Sequence, residues 1–276
     1  MLRRACDNCL GWMGRALARY LSAPSARYRP LGTVPGRLLR EALRPGDVLL
    51  VEGNTRISTA IKYLTQSTWS HAAMYVGALP GSAASDPDPP CLVEADIQRG
   101  VWAVPLSRYA DAHTRICRPM GLTSQDLERV VAIALRSIGH RYDLKNVIDL
   151  ARYLLPTPPV PARWRRRMLA LGSGEPTRAI CSTLIAQAFQ AIRYPVLPEI
   201  ERRPAPAPGC NDCYDEILHI RHHSLFAPRD FDISPYFAIV KPGLDENFCY
   251  TQLRWEEAPA ETAPPSPVVA PLGDAG

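Results

Sequence analysis

Short apolar runs separated by turn-forming residues occupy the first half of the chain, and this pattern predicts β-strands. Asp47–Val51 is apolar after its first residue and follows a turn-like Arg-Pro-Gly, which is typical of a buried strand. Tyr236–Lys241, together with Arg229–Phe231, predicts a strand that returns late in the chain. The other predicted strands are Ser70–Gly77, Cys91–Asp96, Gly100–Pro105 and Thr114–Pro119.

Apolar residues at helical spacing predict helices between and after these strands. Asn54–Leu64 carries such a face. A second helix begins after Thr123, which is a good N-cap, and stops at Gly139. A third is predicted over Leu144–Leu155. The last begins close to Cys181, and its apolar face consists of Leu184, Ile185, Ala188, Phe189 and Ile192.

The grouping of the strands predicts the fold class and the domain limits. Strands and helices do not alternate strictly, which favours an α+β fold over a doubly wound one. The 276 residues are enough for one core with appendages. We expect the folded domain to span residues 36–257, with a Pro-rich insertion near 198–213. Residues 1–35 are an N-terminal extension, and the Ala/Pro-rich residues 258–276 are expected to be disordered.

The extension and the charge limit the partners that we expect. Leu10, Met13, Leu17 and Leu21 share one face of a short basic amphipathic helix, which either packs on the domain or contacts a membrane surface. No apolar stretch approaches the roughly 20 residues that span a bilayer, and the first residues are a poor secretory signal. The net charge of +5 does not imply nucleic acid. We therefore predict a cytoplasmic protein, with peripheral membrane contact as an alternative and no nucleic-acid partner.

The cysteines are numerous but unevenly placed. All 8 occur in a chain too large to need disulfides, so most are predicted to be reduced. Cys6 with Cys9, and Cys210 with Cys213, form Cys-x-x-Cys pairs for which zinc or redox chemistry is the alternative. Two ligands without a definite third and fourth are weak evidence for a metal. We therefore predict that the protein needs no cofactor.

Cys181 is the cysteine whose position indicates chemistry. It lies at or just inside the N-terminus of the last predicted helix. Unpaired backbone N–H groups at a helix N-terminus favour an anion and lower the pKa of a thiol. The alternative is a buried structural cysteine.

A cysteine nucleophile needs a base and a group that orients the base. His71 begins a strong strand pattern, and a strand holds a side chain rigidly; the alternative is a core histidine. Glu94 lies within another predicted strand, where a carboxylate is costly unless paired. Glu94 is therefore a candidate partner for the imidazole, and the alternative is a charge on an edge strand. Asp96 is the second choice as orienting group.

Three short motifs in this order resemble a known family. They are Ser-His-x-x-x-Tyr-Val-Gly around His71, Val-Glu-Ala around Glu94 with Gly-Val shortly after, and Cys-Ser-Thr-Leu-Ile from Cys181. They resemble the permuted papain-fold cysteine amidases of the YiiX/YaeF group, which belong to the NlpC-type peptidase clan. In this permuted branch the histidine precedes the cysteine, as it does here. Gly139-His-Arg-Tyr-Asp is similar to a further stretch of the family and implies that Tyr142 lines the active site.

The resemblance implies a circularly permuted papain-like fold, in which an antiparallel sheet or barrel packs against helices. It also implies a Cys181–His71–Glu94 triad that cleaves an amide bond through a thioester, on a small peptide or acylated substrate. The lecithin:retinol acyltransferase group shares the clan, so an acyltransferase or lipid thioesterase is an alternative. A non-catalytic ligand-binding relative is another. The cationic segment Arg163–Leu171 is interpreted as a solvated helix face, or else as a contact for anionic lipid or an acidic substrate.

Overall fold

The computed structural model describes residues 19–24, 32, 34–79, 81–83, 85–96, 99–140, 180–204 and 214–243. Within these ranges six strands form one antiparallel sheet of order β4-β3-β2-β1-β5-β8, and two more form a separate hairpin. The strands of the sheet are β1 (Val48–Val51), β2 (His71–Tyr75), β3 (Pro90–Asp96), β4 (Gly100–Pro105), β5 (Thr114–Pro119) and β8 (Phe237–Val240). The hairpin pairs β6 (Glu199–Pro204) with β7 (Tyr214–His219).

From residue 36 onward, the described part of the chain contains five α-helices. Thr55 and Thr123 cap the second and third helices, where their side chains accept hydrogen bonds from the Ser58 and Asp126 backbone N–H groups. The helices are α1 (Gly36–Ala42), α2 (Arg56–Thr65), α3 (Ser124–Arg136), α4 (Ile180–Gln190) and α5 (Pro228–Asp232). The α+β class and the antiparallel sheet packed against helices are therefore confirmed.

Both faces of the sheet are covered, which explains why β1 is apolar throughout. Val48 and Leu50 face a core that includes α3 and α4, whereas Leu49 and Val51 face a core that includes α1. Since successive side chains of a strand point to opposite faces, the unbroken Val-Leu-Leu-Val run fills both layers. The sheet is consequently a rigid base for any side chain at its ends.

Two segments differ from the sequence-based expectation. Arg229–Phe231, predicted as part of a returning strand, is helical within α5, because Pro228 occupies the first turn and the Asp230 carboxylate accepts a hydrogen bond from the Ala227 N–H. Residues 199–204, which belong to the Pro-rich insertion predicted near 198–213 and for which no strand was predicted, form strand β6. Every residue of β6 is exposed, so an apolar alternation was absent from its sequence. Helix α1 was not predicted.

The N-terminal extension is described only in part. Leu21 is fully buried, and Pro24 forms a β-bridge with Thr55 at the start of α2. The guanidinium of Arg56 lies 4.0 Å from the centre of the Tyr20 ring. Residues 19–24 thus contact the domain, while Leu10, Met13 and Leu17 of the predicted amphipathic face lie outside the described residues, as do residues 258–276 of the predicted tail.

Strands β2 and β3 separate at one end, which leaves room for another element to reach the sheet there. Among the described residues their pairs are Met74 with Val93 and Tyr75 with Leu92. The backbone N–H of Ala72, a residue of β2 that pairs with Leu50 of β1, hydrogen-bonds the sulfur of Cys181. The first turn of α4 therefore reaches the sheet where two neighbouring strands part.

Candidate active site

His71 and Glu94 come from these two strands and meet across the gap. Nε2 of His71 donates to Oε2 of Glu94 over 3.0 Å. The carboxylate is 1% exposed, and the imidazole is half-buried. With Nε2 engaged by a carboxylate, Nδ1 is the nitrogen that remains for a second partner.

Cys181 supplies that second partner from the first turn of α4. Its side chain is 5% exposed and shares a hydrogen bond with His71. Its sulfur also lies 3.9 Å from the hydroxyl oxygen of Ser182. Sulfur, imidazole and carboxylate therefore form one continuous row of hydrogen-bonded groups.

The charges of the pair shift both pKa values in opposite directions. Burial raises the pKa of Cys181, but the adjacent His71 charge and the hydrogen bonds from His71, Ala72 and Ser182 outweigh burial and lower it below its usual value. Burial lowers the pKa of His71, but the Cys181 charge and hydrogen bond, with those of Glu94, raise it to about 10. Both shifts favour a thiolate–imidazolium pair at neutral pH.

Two further side chains contact Glu94, and the sequence did not single them out. Tyr109 donates its hydroxyl to Oε2, and Nε of Arg108 lies 3.2 Å from Oε1. Both residues belong to a short 3₁₀ helix, Leu106–Tyr109, that follows β4. Burial raises the pKa of Glu94, but its contacts with His71, Tyr109 and Arg108 together lower it. The only available sequence signal was indirect: a carboxylate that points into a core requires donors.

Other candidate residues lie elsewhere. The Asp96 carboxylate, the second choice as orienting group, accepts a hydrogen bond from the Arg99 backbone N–H. His113 pairs through Nδ1 with Glu52, at a distance of 3.0 Å. Tyr142, segments Leu144–Leu155 and Arg163–Leu171, and the pairs Cys6/Cys9 and Cys210/Cys213 lie outside the described residues.

Residues 42–153 match the family described as permuted papain-like amidase enzymes, YaeF/YiiX, C92 family. This match, over less than half of the chain, supports the family resemblance found in the sequence. The match includes His71 and Glu94 and ends before Cys181. The family is by its description one of amidases, so amide hydrolysis by a cysteine enzyme is the activity that it supports in general terms.

A crystal structure described as the metalloprotein YiiX from Escherichia coli O157:H7 is similar to this chain at 16% identity and a TM-score of 0.43. The similarity covers 73% of this chain and 98% of that one. No curated protein matches the chain. The described residues contain no group of three or more His, Cys, Asp or Glu side chains arranged to hold a metal ion. None of the helices described combines the length and apolar character that crossing a membrane requires.

We expect Cys181 to be alkylated by iodoacetamide at least tenfold faster than Cys91 near pH 7. Cys91 is the matched control because it is 4% exposed, close to the 5% of Cys181, yet burial raises its pKa. The thiolate is the reacting form, so the two rates follow the two pKa values. Mass spectrometry of the labelled peptides measures both rates in one sample. Equal labelling would mean that Cys181 is an ordinary buried thiol.

Proposed function

We propose that this chain is a cysteine hydrolase that cleaves an amide bond of a small peptide or acylated substrate through an acyl-enzyme on Cys181. The observation that supports it best is the row of contacts from the Cys181 sulfur through His71 to Glu94. Each member has the environment that its role requires: a thiol of lowered pKa, a base on a strand and a buried carboxylate.

The Cys181 thiolate attacks the substrate carbonyl, and a C–S bond forms as the carbonyl π electrons move to oxygen. Backbone N–H groups in the first turn of α4 stabilise that oxyanion, with Tyr142 as a further donor. The His71 imidazolium then gives its proton to the amine as the C–N bond breaks, which leaves a thioester. His71 next takes a proton from water, and the hydroxide equivalent attacks the thioester and releases the acid and the thiolate.

Glu94 has two roles in this cycle. It accepts the Nε2 proton of His71, so the ring presents Nδ1 to the sulfur in every step. Its negative charge also stabilises the imidazolium that precedes amine departure. Neither role requires Glu94 to change its own protonation state.

The pH–rate profile of hydrolysis should be bell-shaped, because the thiolate of Cys181 and the imidazolium of His71 are both required. Activity rises as the pH passes through the lowered pKa of Cys181, below which the sulfur is protonated. Activity falls again toward pH 10, where His71 loses its proton. Since Cys181 and His71 interact strongly, the midpoints of the rising and falling parts of the profile are properties of the pair and not of either residue alone. A pH profile of kcat/KM with a single midpoint near 6.5 would contradict an ion-pair ground state.

Trapping the acyl-enzyme tests the function and the substrate class together. The purified full-length chain is exposed to cell extract, quenched in acid and digested, and the peptide that contains Cys181 is weighed. We expect an added mass on Cys181 that hydroxylamine removes, as it removes a thioester. An aminoacyl or peptidyl mass supports amide hydrolysis, whereas a fatty acyl mass would favour the lipid acyltransferase or thioesterase alternative. No adduct under any condition would favour a non-catalytic ligand-binding protein.

A further inference from the structure

The most completely paired carboxylate of the site is Glu94, and its partners fall into two groups. The first group is His71, from which Oε2 accepts. The second is the pair from the 3₁₀ helix: Tyr109 donates to the same oxygen and Arg108 pairs with Oε1. Tyr109 is buried, while Arg108 is 42% exposed and so reaches Glu94 from the surface. Both oxygens of the carboxylate are thereby paired with a donor other than the imidazole, and the Tyr109 ring lies 6.1 Å from the His71 ring, centre to centre.

A carboxylate at 1% exposure loses most of its hydration, which by itself favours the neutral acid. A neutral Glu94 would carry a proton on one oxygen and could no longer attract the imidazolium. His71 alone contributes one hydrogen bond, and its charge depends on the state of Cys181. Tyr109 and Arg108 supply two donors that do not depend on the sulfur. Burial raises the pKa of Tyr109 far above 10, so its hydroxyl keeps the proton that it donates.

Arg108 is itself held in place by the neighbouring strand. Its guanidinium lies 4.9 Å from the centre of the Trp102 ring, and Trp102 is the residue of β4 that pairs with Glu94. A cation over an indole face is electrostatically favourable. The stacking therefore favours the orientation of Arg108 that reaches the carboxylate.

We propose that Tyr109 and Arg108 are positioning residues that hold Glu94 ionised and oriented toward His71, and thereby stabilise the thiolate of Cys181 from two contacts away. The expected effect of these residues on the rate of hydrolysis rests on the proposed function. Their effect on the ionisation of Cys181 can be measured without a substrate. No atom of Tyr109 or Arg108 needs to contact the reacting groups.

The test measures the rate of Cys181 alkylation by iodoacetamide against pH in the full chain, for Tyr109→Phe, Arg108→Met and Arg108→Lys. We expect the midpoint of the curve to move upward by about half to one pH unit in Tyr109→Phe and Arg108→Met. At a pH below both midpoints this corresponds to a loss of about three- to tenfold in rate, since one unit is tenfold in thiolate, whereas well above both midpoints the rates should be equal. Arg108→Lys keeps the charge, so its midpoint should stay close to that of the wild type.

Two substitutions serve as matched controls. Arg99 also stacks on Trp102, at 4.2 Å, and Arg99→Met removes that cation without removing a contact to Glu94. Tyr75 belongs to the same apolar cluster as Tyr109, and the ionisable groups around it are Cys91, Arg40 and Asp47. Arg99→Met and Tyr75→Phe should leave the alkylation curve where it is. Equal shifts in the controls, or unshifted curves in both Tyr109→Phe and Arg108→Met, would overturn the positioning role.

Failure of this inference and failure of the proposed function can be told apart. Shifted curves without any acyl-enzyme mean that the positioning role is correct and the hydrolase assignment is wrong. An acyl-enzyme with unshifted alkylation curves means that the hydrolase assignment is correct and the positioning role is wrong. Circular dichroism checks that each variant is folded. If Tyr109→Phe does not fold, the partly exposed Arg108 carries the test alone, and a midpoint unchanged in Arg108→Met then counts against the inference.

Discussion

Replacing Cys181 with alanine is expected to abolish turnover, a loss of at least a thousandfold in kcat, while the melting temperature stays within about 4 °C of the wild type. The nucleophile is lost, and no other described thiol contacts His71. The structural change is one sulfur atom at the start of a helix. A difference of 1 kcal/mol moves Tm by about 2–4 °C in a domain of this size. Initial-rate assays and thermal denaturation of the same preparations measure the two effects.

Cys117 provides the opposite case. It is fully buried in the sheet, on the face toward α3 and α4, and burial raises its pKa far above the usual value. Cys117→Ala should lower Tm by a few degrees and leave kcat close to wild type. If Cys181→Ala loses as much stability as Cys117→Ala and keeps its activity, Cys181 is a packing residue and the proposed function is wrong.

Replacing His71 with alanine is expected to remove activity and also the reactivity of the thiol. The imidazolium is what lowers the pKa of Cys181 against the effect of burial. Without it, burial should raise that pKa above its usual range, so that only about 1% or less of the sulfur is thiolate at pH 7. We expect iodoacetamide alkylation at pH 7 to slow by about a hundredfold, with the midpoint displaced upward by more than about two units.

His113→Ala is the control for this experiment. His113 also hydrogen-bonds a buried carboxylate, that of Glu52. It immediately precedes β5, at the same end of the sheet as His71. It therefore matches His71 in surroundings without bonding the sulfur. Alkylation of Cys181 in His113→Ala should remain within about twofold of wild type. Equal slowing in both variants would show that thiol reactivity depends on the fold of this edge and does not come from the imidazole.

The elements with strong periodicity were predictable because their side chains are sorted by burial. β1 lies in a two-sided core, and α3 has a threonine cap and an apolar face, so local sequence decided both. The family and the pairing of His71 with Glu94 followed from short motifs in a specific order. β6 could not be predicted, since all its residues are exposed and it is held by cross-strand partners alone.

The environment of Glu94 was not predictable for a different reason. Arg108 and Tyr109 reach it only because β4 folds back on β3 and the chain then turns into a short 3₁₀ helix. Neither residue has a spacing or motif that marks it. α5 was misassigned because Pro228 and Asp230 act as a helix start, and this local signal was outweighed by the apolar residues that follow.

The contacts from Arg108 through Glu94 and His71 to Cys181 have an electrical consequence. In the ion-pair state the four groups alternate in sign, plus, minus, plus, minus, and their sum is zero. An interior row of this kind is tolerated because each charge is neutralised by the next. Removing Glu94 alone leaves an uncompensated positive charge in the protein, whereas removing His71 also returns a proton to Cys181 and leaves the Arg108–Glu94 pair neutral. The opposite charges of His71 and Cys181 are therefore most easily gained or lost together.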